Sequence, residues 1–201
     1  MSQTFFELQQ KRRSIYAIGK NVNLSKADIV ALVKKTVREA PSSFNSQSSR
    51  VVVLFGEAHD KLWSTTLDTL RKIVPADTFA ATEQKINGCF KAGFGTVLFF
   101  EDQDVVKGLQ AKFPAYADNF PIWSEQASGI AQYAVWVALA EQGVGATLQH
   151  YNPLIDEAVA KEWGIPTSWK LRAQMPFGSI EAPAAEKTYM DDEVRFKVFG
   201  A

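Results

Sequence analysis

Two short, almost unbroken apolar runs, RVVVLFG at 50–56 and TVLFF at 96–100, do most to limit what this chain can fold into. Both are β-branched or aromatic and shorter than an ordinary helix, so each predicts a buried strand. The segments between and around them follow a different period. Ile29, Leu32, Val33 and Val37 recur at helical spacing, and so do Leu62, Leu67, Leu70 and Ile73 in 61–74. A chain that mixes the two periods along its length is a mixed helix-and-strand protein. Further strands are expected at 145–149 and at 171–177, where Leu171, Ala173, Met175 and Phe177 alternate with mostly polar residues. Another is expected at 194–199, with Arg195 and Lys197 on one face and Val194, Phe196 and Val198 on the other.

Local signals punctuate the helices. Residues 4–13 predict a short first helix. Ser25-Lys26-Ala27-Asp28 is a capping-box pattern with Asp in place of Glu, and Pro41 ends the helix that follows. Helices are also expected from Asp77 to about Asn87, stopped by Gly88, and at 102–112. Residues 113–123 hold two prolines and four aromatic rings and read as irregular. A long helix over 124–142 is predicted, with Ser124 as N-cap and Gly143 as its stop. It is apolar around much of its circumference, which places it in the core or at a subunit interface. Pro153 would open another helix that ends at Gly164. The Ala- and Glu-rich stretch 181–188 reads as a linker carrying the tail.

Composition removes several functional classes. Residues 1–201 suit one domain, and 46% hydrophobic content suffices for a core. No apolar run is long enough to span a membrane. The start of the chain shows no signal pattern, so a cytoplasmic protein is expected. Twenty-two basic residues balance 22 acidic ones, which argues against nucleic acid as a partner. Cys89 is the only cysteine, and the two histidines show no ligand spacing, so no metal site is expected.

Two polar segments carry the chemistry. Arg12-Arg13-Ser14 sets two guanidinium forks beside a hydroxyl, a set suited to phosphate oxygens. Pro41-Ser42-Ser43-Phe44-Asn45-Ser46-Gln47 follows a predicted helix and presents small hydroxyls and amides suited to the polar edge of a heterocycle. The same residues also make an ordinary helix-ending turn. Arg195 and Lys197 form a second basic pair, and if the tail folds back on the first helix both clusters converge on one dianion. Gly93-x-Gly95 and Gly143-x-Gly145 lack the complete spacing of a dinucleotide fingerprint, which disfavours a Rossmann dehydrogenase.

In order and spacing, the Arg-Arg-Ser triplet and the Pro-Ser-Ser-x-Asn-x-Gln loop resemble the nitroreductase family of FMN-dependent oxidoreductases. Lys85 followed by the 93–102 stretch GFGTVLFFED looks like its small, single-domain bacterial and fungal subgroup. The resemblance implies an α+β fold with a mostly antiparallel central sheet surrounded by helices, in an intertwined homodimer. It implies FMN, with Arg12, Arg13, Ser14, Arg195 and Lys197 at the phosphate. Pro41, Ser42, Ser43, Asn45 and Gln47 would lie at the ring or ribityl chain, partly supplied by the second subunit. Gln149, His150 and Tyr151 fall where the family passes the flavin N5, although the Glu-Gly of many members is missing. Lys85 is the candidate cation near N1 and O2, and His150 a candidate general acid. The implied activity passes hydride from NAD(P)H through flavin N5 to a nitroaromatic, quinone or similar small-molecule acceptor by a ping-pong route. Phe44, Phe113, Tyr116, Phe120 and Trp123 would wall the acceptor or simply pack. A flavin-binding regulatory or stress-response protein with little turnover is the alternative.

Overall fold

A long strand, β5 (Trp169–Ile180), organises the molecule in the computed structural model, which describes residues 4–201. It pairs antiparallel with β3 (Gly95–Asp102), with β1 (Ile18–Gly19) and with the short β4 (Gly145–Ala146). β2 (Ser49–Phe55) pairs with the far side of β3, so the path runs β1-β5-β3-β2 and leaves β2 at an edge. Every named strand pair is antiparallel, and helices cover both faces, as expected of an α+β protein. A Cβ at Gly178 would overlap the Gly19 carbonyl, so glycine is what lets β1 close on β5.

The apolar run of β3 is explained by burial on two sides. Leu98 and Phe100 face one core with Leu62, Trp63 and Leu67 of α3 (Glu57–Leu70) and Phe79 of α4 (Ala76–Ile86). Val97 and Phe99 face another, with Ile29 and Val33 of α2 (Lys26–Glu39) and Val135 and Leu139 of α6 (Asn119–Glu141). Burying each such side chain contributes about 1.5–3 kcal/mol of transfer free energy. The Ser25 capping box forms as the sequence predicts, with Asp28 answering the N-cap backbone.

Several elements differ from expectation. β2 is half-buried rather than buried, because as an edge strand it has a neighbour on one side only. β5 is buried through most of its length rather than half-exposed, because it sits between neighbours. Gly88 does not stop α4; the chain continues through a π-helical turn, Asn87–Lys91. Residues 119–123 are helical, since Pro121 falls in the first turn of α6, where its missing N–H costs nothing. Ser124 is therefore a buried residue inside that helix, not its cap. Pro153 follows a cis bond, and α7 (Asp156–Trp163) starts three residues later. The expected strand at 194–199 is instead a short helix, α8 (Asp192–Arg195), followed by chain without regular secondary structure, all exposed. One short helix each opens the chain, α1 (Phe5–Lys11), and follows β3, α5 (Gln103–Lys112).

Candidate functional site

Where α1 ends, Arg12 leaves the helix in extended geometry, and Ser14 bridges to Ala146 of β4. That bridge fixes residues 12–14 on the rim of the sheet. They line a cavity of about 480 Å³ together with Tyr16, the 183–185 segment and Lys187. Arg13 Nη2 donates to the Ala185 carbonyl at 2.6 Å, which holds the returning chain in place. The Arg12 guanidinium lies over the Trp136 ring, 4.4 Å from its centroid. Its Nε is buried and has no hydrogen-bond partner. Such a donor is costly to leave unmet and invites an anion.

Arg195 and Lys197 do not line this cavity. The Arg13–Ala185 contact pins the tail at 183–187, and beyond it the chain runs into exposed α8. There Arg195 lies over the ring of Phe196, and Lys197 Nζ donates to the Glu193 carbonyl at 3.4 Å. The other basic side chain lining the cavity is Lys187, whose Nζ lies over the Tyr189 ring. No period in the Ala- and Glu-rich stretch around it marks its role.

The second polar segment is the 41–47 loop. Phe44, Asn45 and Gln47 all have positive φ, at 55°, 49° and 48°. These are unusual values for residues with a Cβ. Ser42 Oγ accepts from Gln47 N at 2.9 Å, and Arg50 Nη1 donates to the Gln47 carbonyl at 2.6 Å. The turn pushes the Phe44 ring into a cluster with Phe113, Phe120 and Trp123, at centroid distances of 4.9, 5.4 and 6.2 Å. Tyr116 joins at 6.1 Å. Asn45 and Gln47 are exposed. Pro41 and Ser42 line a groove of about 720 Å³ between α2 and β2, and with Ser43 and Trp123 a smaller one of about 210 Å³.

The third segment continues from β4. Gln149 bridges Gln174 of β5, and its Nε2 donates to Thr147 Oγ1 at 3.0 Å. Tyr151 N donates to Gln174 Oε1 at 2.7 Å. His150 stands exposed between them. The Tyr151 ring turns inward against Trp63 and Phe90, and burial pushes its hydroxyl pKa up. Lys85 lies on the exposed side of α4 with its Nζ 5.9 Å from the Phe90 ring centroid, and it does not line the cavity at Arg12.

Strand register shows which of these segments share one place. Ala146, the bridge partner of Ser14, sits opposite Phe177, and Gln149 sits opposite Gln174. Three residues of strand span about 10 Å, so the triplet and the 149–151 segment flank one edge of β5. The 41–47 loop does not join them within one chain. It leads into Ser49, which pairs with Glu101, which pairs with Lys170. Lys170 lies seven residues along β5 from Phe177, roughly 20 Å.

This fold belongs to a known class of oxidoreductases. The nitroreductase family model matches residues 10–179, and the chain belongs to that family. It is 56% identical to nitroreductase CinD from Lactococcus lactis, solved in complex with chloramphenicol and with 4-nitrophenol; the match covers 98% of this chain and 100% of that one, with a TM-score of 0.89. HBN1 of Saccharomyces cerevisiae is 38% identical over 193 residues, 95% of each chain. At 13% identity, a nitroreductase with bound FMN from Desulfitobacterium hafniense shares the fold with a TM-score of 0.71, covering 99% of this chain and 100% of that one. Among the described residues no helix is long and apolar enough to cross a membrane, and no cluster of metal ligands occurs.

Proposed function

We propose that the chain is an FMN-dependent oxidoreductase that passes hydride from NAD(P)H to nitroaromatic, quinone or similar electrophilic acceptors in two half-reactions at one site. The observation that carries this reading is that Arg12, whose Nε is buried and unpartnered, lines one cavity with Arg13, Ser14 and Lys187. Three cations and a hydroxyl fit a phosphate dianion. The roughly 10 Å of strand from the Ala146 bridge to Gln149 is close to the reach of a five-carbon chain with its phosphate ester, leading from phosphate to ring. The ligands of CinD, one a nitrophenol and the other a nitroaromatic antibiotic, support the acceptor class.

In this reading Arg12, Arg13, Ser14 and Lys187 hold the phosphate. The backbone of 149–151, kept in line by Gln174, flanks the ring. The flavin supplies the hydride chemistry; the protein supplies position and electrostatics. The hydroxyls and amides of Ser42, Ser43, Asn45 and Gln47 approach the ring from a second copy of the chain, since within one copy they lie far along the sheet. A homodimer with a shared site follows. The test is direct: purified protein should be yellow, and anaerobic NADH or NADPH should bleach it. Protein that does not retain added FMN sinks the proposal. Retention without bleaching by either nicotinamide would favour a flavin-binding protein with little turnover.

A further inference from the structure

The carboxylate of Glu101 plays no part in the chemistry above, yet it is completely buried at the end of β3. Ser48 Oγ and Ser124 Oγ both donate to its Oε2, at 2.6 and 2.7 Å. Ser49 Oγ donates to Oε1. Among the described residues no Lys, Arg or His forms an ion pair with it. A charge buried without a counterion relies on hydrogen bonds alone. Three converging hydroxyl donors need three lone pairs, which a carboxylate offers and an amide does not.

The sources of those hydroxyls give the cluster its meaning. Ser48 directly follows the 41–47 loop, and Ser124 directly follows Trp123 in α6. One oxygen of Glu101 therefore ties the polar loop and the aromatic wall to the same strand. Asp102, the next residue, binds Arg50 at 3.0 Å, and Arg50 holds the Gln47 carbonyl. A loop with three left-handed residues persists only where its surroundings over-determine it. The two acids of the Phe-Phe-Glu-Asp run supply that constraint from below.

We propose that Glu101 is a positioning residue of the acceptor face: through Ser48 and Ser124 its buried carboxylate sets the spacing between the 41–47 loop and the Phe120–Trp123 wall of α6. The proposal rests on the oxidoreductase reading. It assigns Glu101 to the ring and acceptor side of the site rather than to phosphate retention, because the 41–47 loop it braces approaches the ring, whereas Arg12, Arg13, Ser14 and Lys187 hold the phosphate.

The test uses holoprotein carrying Ser48→Ala, Ser124→Ala, Ser124→Thr or Glu101→Gln. FMN affinity is read from flavin fluorescence quenching, and 4-nitrophenol affinity from its perturbation of the flavin visible band. Each alanine variant should weaken 4-nitrophenol binding about 10- to 100-fold, the effect of one lost hydrogen bond to a charged group, and FMN binding by a clearly smaller factor, because the loop also approaches the flavin ring while the phosphate contacts are untouched. Ser124→Thr, which keeps the hydroxyl, should restore wild-type binding. Glu101→Gln should match or exceed the alanine variants, and if it fails to fold the serine variants decide. Equal loss of both affinities, or 4-nitrophenol binding unchanged in both alanine variants, overturns the proposal. A wild-type protein that binds no FMN overturns it together with the reading it rests on, and that arm is scored separately.

Discussion

Arg12 holds its guanidinium over the Trp136 ring but leaves Nε without a partner in a buried place. This contact orients the group without using its donors, so they remain available to an anion. Arg12→Ala should weaken FMN retention about 10- to 100-fold, the range for a lost charge-assisted bond, with little change in melting temperature. Equal FMN affinity in mutant and wild type would refute the assignment. Lys187→Ala should behave like Arg12→Ala, and Arg195→Ala should have a smaller effect on phosphate contact; the reverse ranking in a fluorescence titration would return the phosphate to Arg195. The difference shows what was legible at this scale. Two adjacent guanidinium groups and a hydroxyl announce an anion from the sequence. A lone lysine in an Ala- and Glu-rich stretch does not, because the triplet lies far from it in sequence, and long-range contacts, the Arg13–Ala185 bond across 172 residues and the Glu181–Ala17 bond, bring that stretch back. Glu101 was hidden for the same reason, since an acid closing an apolar strand reads as the edge of a turn.

At the scale of elements, His59 shows how α3 is fastened to the sheet. The Trp63 indole N–H donates to Thr96 Oγ1 at 3.0 Å, and Thr96 Oγ1 lies 2.8 Å from His59 Nδ1. His59 Nε2 lies 3.1 Å from the Lys91 carbonyl, which can only accept. The neutral tautomer with its proton on Nε2 satisfies every bond: Thr96 then donates to Nδ1. A second ring proton would force the Thr96 hydroxyl to turn and lose its own donation, and burial already pushes the His59 pKa below its usual 6.5. The unfolded chain therefore binds more protons than the native state once pH falls below about 6.5. This contribution to stability is complete above that value and is lost as pH falls through the lower folded pKa. Urea midpoints should drop from pH 7.5 to 5.5, and His59→Gln should flatten that drop; an unchanged slope would remove His59 as its source. The element boundaries behind this tie were only partly legible. Helical spacing gave α3 its apolar stripe but not its start at Glu57, so His59 fell outside it. Pro121 suggested a break, although a proline in a first turn opens a helix equally well.

Among the described residues, the molecule leaves apolar surface open at the β2 edge and along the tail. β2 is an edge strand whose Val51 and Val53 line the groove against α2. The tail carries Val194, Val198 and Phe199 at 72%, 76% and 91% exposure. An unpaired apolar edge is a liability that proteins cover, and the tail's alternation, which a lone chain leaves unused, suits the task. The period-two pattern at 194–199 was thus readable, but a strand needs a partner, and one chain offers it none. Two copies would cover both surfaces, and they would also bring one copy's 41–47 loop to the other's phosphate cavity, a join that about 20 Å of sheet prevents within a single chain. Assembly and cofactor binding should therefore be coupled. Truncation after Tyr189 retains Arg12, Arg13, Ser14 and Lys187, so the phosphate contacts survive. It should nonetheless shift the sedimenting species from twice the chain mass toward the monomer and lower FMN affinity in parallel, with the deficit shrinking as protein concentration rises. A truncated chain that sediments as a monomer yet binds FMN as tightly as the full chain would show that one copy holds the cofactor by itself.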